Sequence, residues 1–286
     1  MVRLLKRHGM NSLLMLPLFA YLLAFTGLPL LTCIAMSFTD DVAHLFPSWA
    51  NYRLLFQDGQ FTLALRNTLW LTAIGVSLQL LVGLGVAFVL HKLVFGRGVV
   101  RTIVLTPLGV PTIVAGVMFT YLFGSTGYAN ELLSRLGLID TPIDWIQGGW
   151  ASLGVVLLAD LWKVTPLLTL ILLAGLESIP QSAMEAAAVD GASGWRQFWS
   201  ITLPLLRPFL TMAVIVRAID AFRIFELPLI LTGKSTPVLG TIAYSEYYEY
   251  DNPYTSAAAA TLLLGLIAVC IASYLILVAR HETEAR

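Results

Sequence analysis

Six runs of apolar residues, each close to twenty long, recur along the chain and constrain its fold more than any other feature. A bilayer's hydrocarbon core is about 30 Å thick and an α-helix rises about 1.5 Å per residue, so roughly 20 apolar residues are needed to cross it. The runs lie at about 12–37, 68–90, 102–123, 151–173, 204–224 and 256–279. In lipid every backbone N–H and C=O must find a partner inside the protein, which for segments of this length means helices. The expected fold is an all-α integral membrane protein with six transmembrane helices. Composition agrees, since 58% of the 286 residues are hydrophobic and 12% charged, whereas a soluble domain carries about 25% charge. An ordinary soluble enzyme is thereby excluded. The first run follows Arg3, Lys6 and Arg7 in the manner of a signal peptide. Its apolar stretch is too long for an h-region and no small-residue cleavage site ends it, so it counts as a span.

Charge is balanced at 17 Lys+Arg against 17 Asp+Glu, which leaves no global basic field to hold nucleic acid. Sorting the charges by loop is more informative, because Lys and Arg accumulate on the cytoplasmic side. The side shared by both termini holds ten basic residues (Arg3, Lys6, Arg7, Lys92, Arg97, Arg101, Arg196, Arg207, Arg280, Arg286) against five acidic ones, a net of +5. The opposite side holds five basic residues against ten acidic ones, a net of −5. Both termini are therefore expected in the cytoplasm, with 1–11 as the N-terminal stretch, 12–280 as the membrane domain and 281–286 as the tail. Asp160, Lys163, Arg217 and Asp220 remain inside spans. Asp160 and Lys163 stand i,i+3 on one helix, as do Arg217 and Asp220, and each spacing allows mutual neutralisation. Structural pairing and lining of a solute path are both open for these four.

Several apparent signals carry no chemistry. Thr232-Gly233-Lys234-Ser235-Thr236 has the tail of a phosphate-binding loop, but Pro228 stands where the earlier glycine is required. Gly83-Leu84-Gly85 lacks the third glycine of a dinucleotide fingerprint, because position 88 is Phe, and reads as close helix packing. His8, His44, His91 and His281 share no metal-ligand spacing, and Cys33 and Cys270 sit in apolar runs as small hydrophobes. No hydrolytic constellation occurs, so chemistry must come from a partner.

The segment 177–203, between the fourth and fifth runs, differs in character. Pro180 suits a helix start and Ala183–Val189 is rich in strong helix formers. Gly191 suits a left-handed helix end and Ser193 an N-cap for a following helix. The expectation is two short helices around a glycine corner, either lying on headgroups or docked on a partner. Three alanines beside Glu185 favour docking, since small side chains permit close approach while the carboxylate offers an ion pair.

The run Glu185-Ala186-Ala187, then Asp190-Gly191-Ala192, then Ile201, Leu203-Pro204 and Pro208, resembles the EAA motif of permease subunits of binding-protein-dependent ABC importers. Trp162, Pro166, Ala174-Gly175-Leu176, Ile179-Pro180, the run Arg217 to Phe225 and Gly98 to Thr102 extend the likeness to the carbohydrate-uptake branch. Specifically, they resemble the first permease of maltose, trehalose and glycerol-phosphate type systems. After Leu231-Thr232 the chain departs from the family's usual several glycines and a proline.

The resemblance implies a subunit of the bacterial cytoplasmic membrane that pairs with a second permease, two ATPase subunits and an extracytoplasmic solute-binding protein. ATP and Mg would be bound by the ATPases, with no cofactor and no catalytic residue in this chain. It also implies that Glu185, Ala186, Ala187, Ala188, Asp190, Gly191 and Ala192 form a cytoplasmic coupling helix and its corner, moved by ATPase closure. For a sugar, the path needs hydrogen-bonding groups and aromatic faces. The candidates are Trp70, Gln79, Tyr121, Trp162, Arg217, Asp220, Phe222 and Tyr244. Trehalose or a related disaccharide is the solute toward which the resemblance leans. The alternatives are a non-sugar solute such as glycerol phosphate, and a secondary carrier driven by an ion gradient, although no inverted repeat is apparent.

Overall fold

The computed structural model describes residues 15–284, all-helical apart from connections and with no strand among the described residues. The expected N-terminal stretch 1–11, residues 12–14 of the first span and residues 285–286 of the tail lie outside the described residues. The helices in chain order are α1 (Met15–Ser37), α2 (Ala50–Gln57), α3 (Gly59–Lys92), α4 (Arg97–Gly109), α5 (Thr112–Phe123), α6 (Tyr128–Arg135), α7 (Gly149–Glu177), α8 (Gln181–Val189), α9 (Gly194–Phe222), α10 (Glu226–Thr232), α11 (Leu239–Tyr248) and α12 (Pro253–Glu284). Five of them, α1, α3, α7, α9 and α12, are long and apolar enough to cross a membrane.

The expected span at 102–123 is not one straight helix. Arg97–Gly109 and Thr112–Arg135 meet at 95°, so a sixth crossing exists only if this bent pair is counted as one. The cause lies in Pro107, Gly109 and Pro111. Proline 111 has no N–H to give and forces the residue before it out of the helical region. Val110 accordingly lies extended at φ −77°, ψ 127°.

The chain divides into two compact units, residues 1–59 with 242–265, and residues 60–241 with 266–286. In the first, the end of α1 is tied to α2. Asn51 Nδ2 donates to the Ser37 and Thr39 carbonyls at 3.1 and 2.7 Å, and the Tyr52 hydroxyl donates to Ser37 Oγ at 2.8 Å.

The second unit is built around α3, α7 and α9. One apolar cluster joins Leu71, Phe119, Leu153, Val156, Leu227 and Leu231. Another joins Ala87, Leu90, Leu168, Leu172, Leu176 and Leu206. Lipid supplies no hydrophobic drive between helices, so close packing must hold them, and small residues let backbones approach. A Cβ at Gly83 would lie 3.3 Å from Leu168 Cβ, and one at Gly175 would lie 2.9 Å from Phe209 Cβ. Gly85 meets nothing within 4 Å, so only the first glycine of the Gly-Leu-Gly sequence packs closely. The start of α9 contains a wide π turn over Phe198–Thr202. Pro204 cannot donate to the Ser200 carbonyl, and the Leu203 N–H instead reaches Phe198 O.

Candidate functional site

Arg217 is among the most deeply buried large side chains of the described protein, at 1% exposure. An unpaired guanidinium is costly in such surroundings, and three helices supply its partners. It donates to Gln79 Oε1 on α3 and to Asp160 Oδ2 on α7, and to Asp220 Oδ2 one turn along α9 at 2.9 Å. Gln79 Nε2 closes the triangle by donating to Asp160 Oδ2 at 2.9 Å. Charge-assisted hydrogen bonds of this kind are short and directional, and here they tie α3, α7 and α9 at one depth.

The neutralisation of Asp160 by Lys163 that their spacing allows does not form. Lys163 Nζ donates to the Val110 carbonyl at 2.6 Å. That carbonyl lies at the break between α4 and α5, where the helical partner four residues on is lost. A cation at the end of α4 also meets the negative end of its dipole. Asp160 is thereby left to Arg217. The i,i+3 pairing of Arg217 with Asp220 does form.

Beside this network a cavity of about 390 Å³ opens, lined by Thr112, Asp160, Lys163, Asp220, Arg223 and Glu226 among others. Its volume lies within the roughly 300–1,000 Å³ typical of small-molecule sites. Two helices begin at its wall, α5 with Thr112 and α10 with Glu226. Counting Arg217 behind Asp220, the site carries three carboxylates and three cations, so its formal charge is zero. It offers both acceptors and donors in an apolar bundle without a net field for an ion.

Of the candidates for a sugar path, Gln79, Arg217 and Asp220 come together here, with Asp220 on the wall of the cavity, which Asp160 and Lys163 also line. Phe222 is buried, and Trp162 is half-buried against Phe119 with ring centroids 5.9 Å apart. Trp70 packs edge-on against Trp150 at 5.6 Å, Tyr121 is exposed, and Tyr244 stacks on Tyr248 at 5.5 Å in the other compact unit. Thr112 lines the cavity without having been singled out by the sequence, whereas Arg223 lies in the family-like run Arg217 to Phe225 and Glu226 directly follows that run. The proline–glycine–proline spacing that breaks the third span is the signal that leads to Thr112, the first residue of α5.

The segment after α7 forms the expected corner. Gly191 has φ +74°, a left-handed conformation that L side chains rarely adopt. The Ala192 N–H donates to Ala187 O at 2.9 Å and the Gly191 N–H to Ala188 O at 3.1 Å, the two bonds of a Schellman ending. Ser193 Oγ accepts from the Arg196 N–H at 3.4 Å as the N-cap of α9. Glu185 is exposed and accepts from Gln181 Nε2 at 2.7 Å. Ala186, Ala188 and Asp190 are exposed as well, whereas Ala187 is buried against the chain's own body. The phosphate-loop-like stretch is held by Ser235 Oγ, which donates to the carbonyls of Ile146 and Thr232 at 2.9 and 2.7 Å. Among the described residues no cluster of His, Cys, Asp and Glu forms a metal site.

Comparison with known proteins follows the same lines. The chain is 37% identical over 257 residues to the trehalose/maltose transport system permease protein MalF of Thermococcus litoralis, covering 87% of this chain and 86% of that one. It is 37% identical over 229 residues to the trehalose transport system permease protein SugA of Mycobacterium tuberculosis, covering 78% and 72%. Its fold superposes, with a TM-score of 0.82, on a chain of a bacterial ABC transporter involved in import of the acidic polysaccharide alginate, at 22% identity and covering 99% and 98%. The model of one family matches residues 79–281, which include the buried network, the cavity and the glycine corner. The chain belongs to the family of binding-protein-dependent transport system inner membrane components.

Proposed function

We propose that this chain is one of two permease subunits of an ATP-driven importer and that its cavity is a station on the path of a neutral sugar. The observation that carries the sugar reading is the cavity's charge balance. Carboxylates at Asp220 and Glu226 accept from hydroxyls, and Lys163 and Arg223 donate to them, while a phosphate meets as many negative as positive groups. The permeases similar to this one that are named for trehalose or maltose incline the reading to a disaccharide. A periplasmic protein is part of the solved alginate transporter complex whose fold this chain shares, in keeping with solute delivery from outside.

In this reading both termini and α8 face the cytoplasm. The exposed carboxylate of Glu185, flanked by Ala186 and Ala188, pairs with a basic group of an ATPase subunit that binds ATP and Mg. The Schellman corner at Gly191 makes α8 and the start of α9 a rigid lever, so ATPase closure alternates the access of the cavity. The chain itself catalyses nothing.

The test is uptake into proteoliposomes holding this chain with its second permease and ATPases, supplied with the binding protein outside. Labelled trehalose is expected to accumulate only with ATP and the binding protein, and glycerol phosphate is not. Uptake by this chain alone, driven by an ion gradient, refutes the importer reading. Accumulation of glycerol phosphate in preference to the disaccharide refutes the sugar reading.

A further inference from the structure

One end of the second unit gathers cations that the coupling scheme does not use. Leu90, Val100, Leu176 and Leu206 pack around one cluster, which brings the end of α3, the start of α4, the end of α7 and the first part of α9 together. Their flanks carry Lys92, Arg97, Arg101, Arg196 and Arg207. Arg97 pairs with Glu177, whereas the other four have no ion pair among the described residues. The acidic groups nearby in sequence are Glu185, bonded to Gln181, and Asp190. From Gly191 to Ile219 every charged residue is an arginine.

Aromatic rings stand among these cations. Trp195 is 73% exposed and Trp199 50%. Their centroids lie 5.6 Å apart, and Phe198 joins Trp199 at 5.1 Å and Phe88 of α3 at 5.6 Å.

The depth of this group follows from the helix contacts. Gly83 lies against Leu168 and Thr169, so Phe88, five residues on, is level with the last turns of α7. Phe209 lies against Gly175, also near the end of α7. Phe198 meets Phe88, four residues before the end of α3 at Lys92, so the first turns of α9 run beside the last turn of α3. Trp195 and Trp199 are thus held at the level where spanning helices end, the depth at which indole rings favour the bilayer interface. Arg207 is exposed between Leu206 and Phe209, both of which lie against Gly175 near the end of α7, within snorkelling reach of a headgroup.

We propose that Trp195, Trp199, Arg196 and Arg207, with Lys92 beside them, form a site for an anionic phospholipid. The indoles lie against the glycerol and upper acyl chain, and the guanidiniums bind the phosphate and its excess negative charge. This assignment stands apart from the transport reading, because it depends only on depth, exposure and charge.

The test uses the full chain in nanodiscs. The difference in fluorescence between the wild type and Trp195→Phe/Trp199→Phe isolates these two indoles. Brominated phosphatidylglycerol in a phosphatidylcholine background is expected to quench them several-fold more than brominated phosphatidylcholine at the same mole fraction. Arg196→Gln/Arg207→Gln is expected to lower that preference about fivefold for each arginine removed. Arg196→Lys/Arg207→Lys, which keeps both charges, retains most of it and shows that the site survives substitution. Equal quenching by the two lipids overturns the proposal, as does a preference that the double glutamine variant leaves unchanged. So does a double glutamine variant that loses ATPase assembly with its headgroup preference intact, which assigns the patch to a protein partner.

Discussion

Removing Arg217 alone is expected to be far more damaging than removing the whole polar triangle. Arg217→Met leaves Asp160, whose side chain is 11% exposed, with one neutral hydrogen bond from Gln79. Stripping one partner from a buried ion pair costs about 3–5 kcal/mol, because the remaining charge stays out of water. Gln79, fully buried, also loses the donor to its Oε1, and an orphaned buried acceptor costs about 1–3 kcal/mol. Asp220 loses a partner too, but its side chain is 63% exposed and water replaces the guanidinium at little cost. The sum of the first two is roughly 4–8 kcal/mol. In the triple variant Gln79→Met/Asp160→Leu/Arg217→Met nothing polar of the triangle is left behind, and apolar replacement of a buried ionic group is often neutral or stabilising. The assay is thermal unfolding in detergent, followed by loss of monodisperse protein. Arg217→Met is expected to lower the midpoint by at least about 8 °C, at about 2–4 °C per kcal/mol, and the triple variant to recover most of that loss. A triple variant as unstable as the sum of its single substitutions refutes the argument, since residues acting as one network must be non-additive.

The remaining predictions draw on other parts of the molecule. Glu185→Ala is expected to leave membrane insertion and protein level intact while separating ATP hydrolysis from uptake in the assembled importer; normal uptake at normal level removes the docking role. Gly175→Ala places a methyl 2.5 Å from Leu206 Cδ1 and 2.7 Å from Phe209 Cγ, an overpacking expected to cost about 1–3 kcal/mol, whereas Gly85→Ala meets open space and is expected to be neutral in the same unfolding assay. Burial, helped by the Asp58 carboxylate, holds the Glu246 carboxyl above its ordinary value of 4.5. The folded state therefore retains that proton longer than the unfolded one, and stability from this group is full below pH 4.5 and lost as pH rises through the raised value. Glu246→Gln is expected to match the wild type in acid and to unfold at higher temperature than it at neutral pH; a midpoint difference that is flat with pH contradicts this.

How much of this was legible in the sequence depends on whether the deciding partner is local. Gly191, Ser193 and Pro180 act on their own backbone, and the corner forms where their conformational preferences place it, down to both hydrogen bonds of the helix ending. Apolar length likewise located the helices long and apolar enough to cross a membrane, although α3 runs from Gly59, well before residue 68, because a helix continues as long as its backbone is satisfied and does not stop where hydropathy falls. The third span shows the opposite case. Counting apolar residues averages over Pro107, Gly109 and Pro111, yet those residues decide the backbone and lipophilicity does not.

That break also bears on the pairing that spacing allows between Asp160 and Lys163. Spacing along α7 puts Lys163 within reach of Asp160, but the Val110 carbonyl, left without its helical partner at the break between α4 and α5, takes the ammonium. Asp160 pairs with Arg217, which also keeps the Asp220 partner that its spacing allows. The break between α4 and α5 thus bears on which charges pair beside the cavity. Lys163→Met should report on this chain of causes. It frees the Val110 carbonyl without touching the Asp160–Arg217 pair, so the bend loses its tether while the core of the unit keeps its polar triangle. Crosslinking between cysteines placed on α5 and α7 is expected to become less specific in Lys163→Met, with the unfolding midpoint changed much less than by Arg217→Met. A variant that unfolds as readily as Arg217→Met would mean that Lys163 belongs to the buried network after all, and that the separation between tether and triangle is wrong.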